Sequence, residues 1–300
     1  MFQKAERRKA KLRLALSGPS GSGKTYGALQ IAKGLGGKVA VIDTERGSAS
    51  LYADLLDFDV VELGPPYTPE RYSEMVRAAE KAGYDVLVID SITHEWKGQG
   101  GVLEIVDTVA RAKFRGNTYA AWNEGNARHS KFIDSILHSS LHVITTMRSK
   151  AVYVETESNG KKKMEKQGTA PEQRDGLEYE FTAVLDLTCD GNFANRSKDR
   201  TRLFNDPFVI TADTGRALLE WLEGGKPAPE QKQVDMHEVE AAFFSATTES
   251  DLKQAAAALG VNEGHPQRAA VVAAYRQRLA EIQGAQQAAT NGAAQEHAHA

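Results

Sequence analysis

An α/β fold with a mostly parallel sheet is what the sequence predicts, and two observations predict it. Residues 12–224 alternate short apolar runs with amphipathic segments, the rhythm of strands joined by crossover helices. The runs Val39-Ala40-Val41-Ile42-Asp43 and Val86-Leu87-Val88-Ile89-Asp90 are apolar at every position but the last, as strands covered on both faces are.

In chain order, strands are expected at residues 12–16, 39–43, 86–90, 141–145 and 182–187. The helix expected over 25–35 places Ala28, Ile31, Ala32 and Leu35 on one face, with Gly36-Gly37 as its stop. Further helices are expected over 69–81, 102–114 and about 127–138. Gly224-Gly225-Lys226-Pro227-Ala228-Pro229 has linker chemistry. The expected organisation is a basic N-terminal segment (1–10), an α/β core (11–224), a linker (225–233), a small α-helical appendix (234–282) and a disordered tail (283–300). The tail is rich in Ala, Gln, Asn and His, and His297 and His299 read as solvated rather than metal-binding.

Composition narrows the function classes. The formal net charge is −3, so affinity for nucleic acid must come from a local basic patch. The single cysteine, Cys189, makes an intramolecular disulfide impossible. No run approaches the roughly 20 apolar residues of a membrane span, and no apolar stretch of signal-peptide length follows the charged N-terminus. A cytoplasmic protein with no membrane partner is expected.

The chemistry begins at Gly18-Pro19-Ser20-Gly21-Ser22-Gly23-Lys24-Thr25, the G-x4-G-K-T pattern between an expected strand and an expected helix. That context marks a phosphate-binding loop. Glycines let backbone N–H groups turn onto phosphate oxygens, and the helix N-terminus adds positive potential. Lys24 should bridge the β- and γ-phosphates of ATP, and the Thr25 hydroxyl should ligate Mg²⁺. Asp90, at the carboxyl end of its apolar strand, is the expected second anchor for Mg²⁺. The next residue is Ser91, not a glutamate, so a water-activating base has to come from elsewhere. Glu45, just past the strand ending at Asp43, is the best candidate. Its alternative is a surface ion pair with Arg46 or a lysine, and Glu95 is a weaker rival for the base.

These residues resemble the RecA-like ATPase core over about residues 10–224. Val39–Glu45 looks like the strand that ends in an Asp-x-Glu element whose glutamate is the base. Tyr84–Ser91 looks like the magnesium strand, and His142-Val143-Ile144-Thr145-Thr146-Met147-Arg148-Ser149-Lys150 looks like the strand leading to the second DNA-binding loop. The phrasing is closest to phage-type ATPases of the Sak group, linked to single-strand annealing and recombination. Asp90-Ser91-Ile92-Thr93-His94-Glu95-Trp96 and Arg174-Asp175-Gly176-Leu177-Glu178-Tyr179-Glu180-Phe181 carry that likeness.

The resemblance implies further roles. Thr146 stands where the family has a γ-phosphate-sensing glutamine, and a hydroxyl reaches less far than an amide. A first DNA loop would cover about 94–101, with Trp96 and Lys97. A second would cover about 149–175, with Lys150, Lys161, Lys162, Lys163, Lys166 and Arg174, cations able to neutralise phosphates of single-stranded DNA. Lys198 and Arg200 would reach a neighbouring copy's ATP site, which requires a homo-oligomer, ring or filament. Single-strand-binding or other replication and recombination proteins are possible partners. The leading expectation is an ATPase stimulated by single-stranded DNA. Two others stand beside it: a nucleotide-gated adaptor or loader in replication, and a P-loop kinase acting on a small molecule.

Overall fold

The computed structural model describes residues 4–158, 161–205, 207–226, 235–259, 261 and 267–296, with side chains left out at 153–158, 161–167, 269 and 285–296. The chain divides into two compact units, Met1–Pro227 and Ala228–Ala300. The described elements of the first are β1 (Arg13–Gly18), α1 (Lys24–Leu35), β2 (Val39–Asp43), β3 (Asp59–Glu62), α2 (Pro69–Lys81), β4 (Val86–Asp90), α3 (Thr93–Lys97), α4 (Val102–Lys113), α5 (Thr118–Leu137), β5 (His142–Ser158), β6 (Lys161–Pro171), β7 (Ala183–Leu187), β8 (Phe193–Asp199), β9 (Phe208–Val209) and α6 (Ala212–Glu223). The second holds α7 (Met236–Ser245), α8 (Glu249–Ala258) and α9 (Arg268–Glu296).

The sheet runs β3-β2-β4-β5-β1-β7-β8-β9, with β6 added to β5. From β3 to β7 every pairing is parallel; β8 returns antiparallel to β7. This is the mixed α/β architecture, a mostly parallel sheet flanked by helices, that the apolar rhythm predicts. Side chains alternate between faces with period two, and both faces are covered. Leu14, Leu16, Val39, Val41, Val86 and Val88 enter one core with Leu29, Ile31, Ala32 and Leu218. Ala15, Ala40, Ile42, Leu87 and Ile89 enter the other with Tyr72, Val76, Phe132 and Ile136. Thus α1 and α6 cover one face, and α2 and α5 cover the other.

Helix α1 carries the phosphate loop, and its seat is tight. A Cβ on Gly34 would lie 2.0 Å from the Ala212 carbonyl oxygen, and one on Gly215 would lie 2.2 Å from that of Ile31. At the far end of the sheet, the buried Arg13 guanidinium donates to the carbonyls of Leu12, Leu137, Ser139 and Leu141. It ties the end of α5 to β1 and β5.

His142 begins β5 buried, its Nδ1 accepting the Leu12 N–H at 3.1 Å. Burial, and then the charges of Lys11 and Arg13, hold its pKa down at about 4. The unfolded value is about 6.5, so the unfolded chain binds the extra proton between these limits. His142 therefore contributes stability above pH 6.5 that is lost as pH falls through 6.5 towards 4, about 3 kcal/mol in all. Urea unfolding at pH 7 and pH 4.5 should show this loss, and His142→Asn, which keeps an acceptor there, should reduce it.

Several expectations need correction. Strand β5 runs on to Ser158 and pairs with β6 through ten registered positions from Ser149↔Pro171 to Ser158↔Lys161. Residues 149–158 and 161–171 are therefore paired antiparallel strands where a loop was expected. The expected first loop at 94–101 begins with helix α3. Helix α5 starts at Thr118, capped by the Asn117 side chain, not near 127. Residues 283–296 continue α9 instead of forming a disordered tail, because alanine and glutamine favour helix. The N-terminal segment is docked: Lys9 N–H donates to Lys226, and the Arg7 guanidinium lies 4.6 Å from the Trp221 ring centre. Residues 227–233 of the expected linker, Val234 of the expected appendix, and His297 and His299 lie outside the described residues. In the second unit, Val239, Phe243, Leu252, Val271 and Ile282 make a separate small core.

Candidate functional site

The carboxyl ends of β1, β2 and β4 and the middle of β5 open onto one cleft of about 970 Å³, lined by Ser20–Gly27, Glu45, Ser48, Tyr52, Asp90, Arg148, Ser149, Glu172, Leu187, Gly191, Asn192, Val209 and Ile210. The loop from Gly18 to Lys24 wraps tightly for reasons visible in its residues. Gly21 and Gly23 have φ of 80° and 82°, a left-handed conformation that favours glycine. The Ser22 hydroxyl and the Lys24 ammonium both donate to the Pro19 carbonyl, at 2.9 and 2.8 Å. The β7–β8 turn closes over the loop, with Asn192 Nδ2 donating to the Gly21 carbonyl at 3.2 Å. Burial lowers the Lys24 pKa, and the charges of Asp90 and Glu45 work against that shift.

Asp90 is 2% exposed. Its Oδ2 accepts the Thr25 hydroxyl at 2.5 Å and its Oδ1 accepts the Thr146 hydroxyl at 2.5 Å. Burial raises its pKa, the two hydroxyls lower it, and the charges of Glu45 and Asp43 raise it further. A buried carboxylate held up in this way is a strong attractor for a cation. Thr25 and Asp90 place two hard oxygen donors in contact beside the phosphate loop, and Mg²⁺ characteristically takes one or two protein oxygens and completes its shell with phosphate and water. Among the described residues no cluster of three or more His, Cys, Asp or Glu forms a metal cage of its own. The donor set fits Mg²⁺ accompanying a polyphosphate.

Glu45 stands where β2 ends. The buried Asp43 carboxylate shapes the turn that carries it, accepting the N–H groups of Glu45 at 2.6 Å and Ala49 at 2.9 Å. Its partner is neither Arg46 nor a lysine but Arg148, whose Nε donates to Oε1 at 3.0 Å while Nη2 donates to Oε2. The Ser91 hydroxyl also donates to Oε1, at 3.1 Å. Burial pushes the Glu45 pKa up, but the Arg148 hydrogen bonds and charge, with His94 and Ser91, bring the net value below the ordinary carboxylate range. Thr44 braces the same corner: its hydroxyl accepts the Ser91 N–H at 2.8 Å and lies 2.7 Å from His94 Nδ1.

Other expected residues lie elsewhere. Thr146, expected at the γ-phosphate-sensing position, is fully buried, and its hydroxyl donates to the Asp90 carboxylate. Glu95 is also fully buried, against His129 Nδ1 at 3.1 Å and Gln173 Nε2 at 3.4 Å, and does not line the cleft. Trp96 is half-buried and packs on the core of α4 and α5, 5.8 Å from Trp122 and 5.3 Å from His129 between ring centres. Lys97 pairs with Glu172 at 2.5 Å. Lys150 and Arg174 are exposed. Lys161, Lys162, Lys163 and Lys166 have strand positions on β6, but their side chains lie outside the described residues. Lys198 and Arg200 donate to the Tyr179 carbonyl, near the end of β8 remote from the Asn192 turn.

Arg148 is the cleft residue that sequence reasoning passed over. It sat in a quoted stretch, but only as part of a strand. The available signal was a cation three residues beyond the strand expected at 141–145, at the carboxyl edge of a parallel sheet.

What this geometry grips is a polyphosphate with its counter-cation, and the class so defined is the P-loop nucleotide-binding ATPases. The chain belongs to the AAA domain family, whose model matches residues 10–217. No curated protein matches it. No described helix is long and apolar enough to cross a membrane.

Proposed function

We propose that this AAA-domain ATPase hydrolyses ATP with Mg²⁺ held by Thr25 and Asp90 and with Glu45 as the base, and that single-stranded DNA stimulates it. The observation that carries the DNA reading is the continuity of β5. The strand that touches Asp90 through Thr146 and Glu45 through Arg148 runs without a break into the β5–β6 hairpin. A ligand on the hairpin is thus joined to the nucleotide cleft by a single strand, whose pairing with β6 shifts register between Val152 and Tyr153. Residues 149–175 contain six cations (Lys150, Lys161, Lys162, Lys163, Lys166 and Arg174) and five carboxylates, so binding rests on local rather than net charge. The biological setting consistent with the Sak-like phrasing is phage-type annealing or strand exchange in the host cytoplasm, by a homo-oligomer in which Lys198 and Arg200 act on a neighbouring copy's ATP.

The test is one ATPase assay with no DNA, duplex DNA and single-stranded DNA over a salt series. Single-stranded DNA should stimulate most. For about four phosphate contacts, the apparent affinity should fall with a log–log salt slope of about −3. Turnover indifferent to DNA removes the recombination reading. Nucleotide binding without turnover would favour the adaptor, and phosphate on an acceptor would favour the kinase.

A further inference from the structure

We propose that the β7–β8 turn is a clamp on the phosphate loop, with Asn192 as its positioning residue: by holding carbonyls of the loop outward, it sets the backbone that receives the phosphates of ATP and ADP alike. The proposal deepens the nucleotide-binding reading and rests on it.

The turn follows the loop along its length. A Cβ on Gly18 would lie 2.9 Å from the Leu187 carbonyl oxygen, and one on Gly23 would lie 3.0 Å from Asn192 Nδ2. Between these two approaches, the Cys189 thiol donates to the Ser20 carbonyl at 3.3 Å and Asn192 Nδ2 donates to the Gly21 carbonyl at 3.2 Å. The turn is itself fixed. The Thr188 N–H donates to the Phe193 carbonyl at 2.9 Å, and the Thr188 hydroxyl donates to the Asp190 carbonyl at 2.9 Å. Asn192 has a φ of 51°, a left-handed conformation that asparagine tolerates better than most side chains. Gly191 and Asn192 also line the nucleotide cleft.

These donors act on orientation. A trans peptide unit is planar, with its C=O and N–H on opposite sides. Holding the Ser20 and Gly21 carbonyls against the turn therefore fixes the planes that carry the Gly21 and Ser22 N–H groups, and directs those groups away from the turn. The Ser22 N–H reaches the Pro19 carbonyl only at 3.3 Å, a long bond that a phosphate oxygen can replace. A carbonyl turned inward would instead set a partial negative charge against the phosphates. Of the two donors the amide is the stronger, because S–H is a weak donor. A loop held in this way loses less freedom when it closes on phosphate. The gain is shared by ATP and ADP, since the clamp touches the loop and not the γ-phosphate.

The experiment titrates ADP and a slowly hydrolysed ATP analogue, each with Mg²⁺, into the full chain, Asn192→Gly and Asn192→Asp. Glycine keeps the positive φ and removes the donor. It should weaken both nucleotides alike, by about 3- to 10-fold for one lost hydrogen bond. Aspartate keeps the size and tolerates that backbone, but sets a carboxylate against the Gly21 carbonyl, so it should weaken both further. In turnover the change should fall on KM more than on kcat. Amide hydrogen exchange of residues 18–24 without nucleotide should quicken in Asn192→Gly. If either variant does not fold, the other carries the comparison. Binding by Asn192→Gly within about twofold of the parent, a loss confined to one nucleotide, tight binding by Asn192→Asp, or unchanged exchange in the loop would each overturn the proposal. A parent chain that binds neither nucleotide would remove the phosphate-loop reading and the clamp with it. A parent that binds both, beside an unaffected Asn192→Gly, removes the clamp alone.

Discussion

Lys24→Ala is expected to abolish ATP turnover and to weaken nucleotide binding by about 10²- to 10⁴-fold, corresponding to two charge-assisted phosphate contacts of about 1.5–3 kcal/mol each. Two losses combine in this variant. The ammonium is the cation of the phosphate loop, and its bond to the Pro19 carbonyl holds the loop closed. The core beneath should be untouched, because Lys24 lies at the start of α1 and the buried face of that helix begins at Gly27. Thermal unfolding without nucleotide should therefore match the parent, while titration with a fluorescent nucleotide shows the loss. Normal ATPase activity in this variant would remove the phosphate-loop assignment altogether.

Glu45→Gln is expected to keep nucleotide binding and to lose turnover by about 10²- to 10⁴-fold, the range of a general base. The substitution is nearly isosteric, and its amide oxygen can still accept from Arg148 or Ser91, so the corner formed by β2, β4 and β5 should persist. What disappears is the ability to take a proton. Turnover within about tenfold of the parent, a change of about 1.4 kcal/mol in barrier, would mean that Glu45 is not the base. Pre-steady-state measurement of phosphate release separates this outcome from a slow product step.

Much of the frame was legible in the sequence. The bounds of β2, β4 and α2 agree residue for residue with the expected spans. Each has a strong local signal: Val and Ile runs for the strands, and Thr68 with Pro69 at the start of the helix. The phosphate loop was legible for the same reason, since its glycines and its lysine act within eight consecutive residues. The hairpin of β5 and β6 was not. Its residues mix Lys and Glu with only the short apolar stretch Ala151–Val154, and its register comes from pairing between β5 and β6 rather than from a pattern within either strand. The early start of α5 was hidden likewise, because Trp122 and Ala121 belong to a small core shared with α4 that neither helix reveals alone.

The sequence by itself determined an α/β P-loop ATPase with Thr25, Asp90 and Glu45 at strand and helix ends, because local periodicity and a contiguous loop encode those features. Only the tertiary structure decided that Thr146 serves Asp90 and that Arg148 holds Glu45. Those contacts join residues 56 and 103 positions apart. They exist because the strand order sets β5 between β4 and β1, an arrangement that no local pattern specifies.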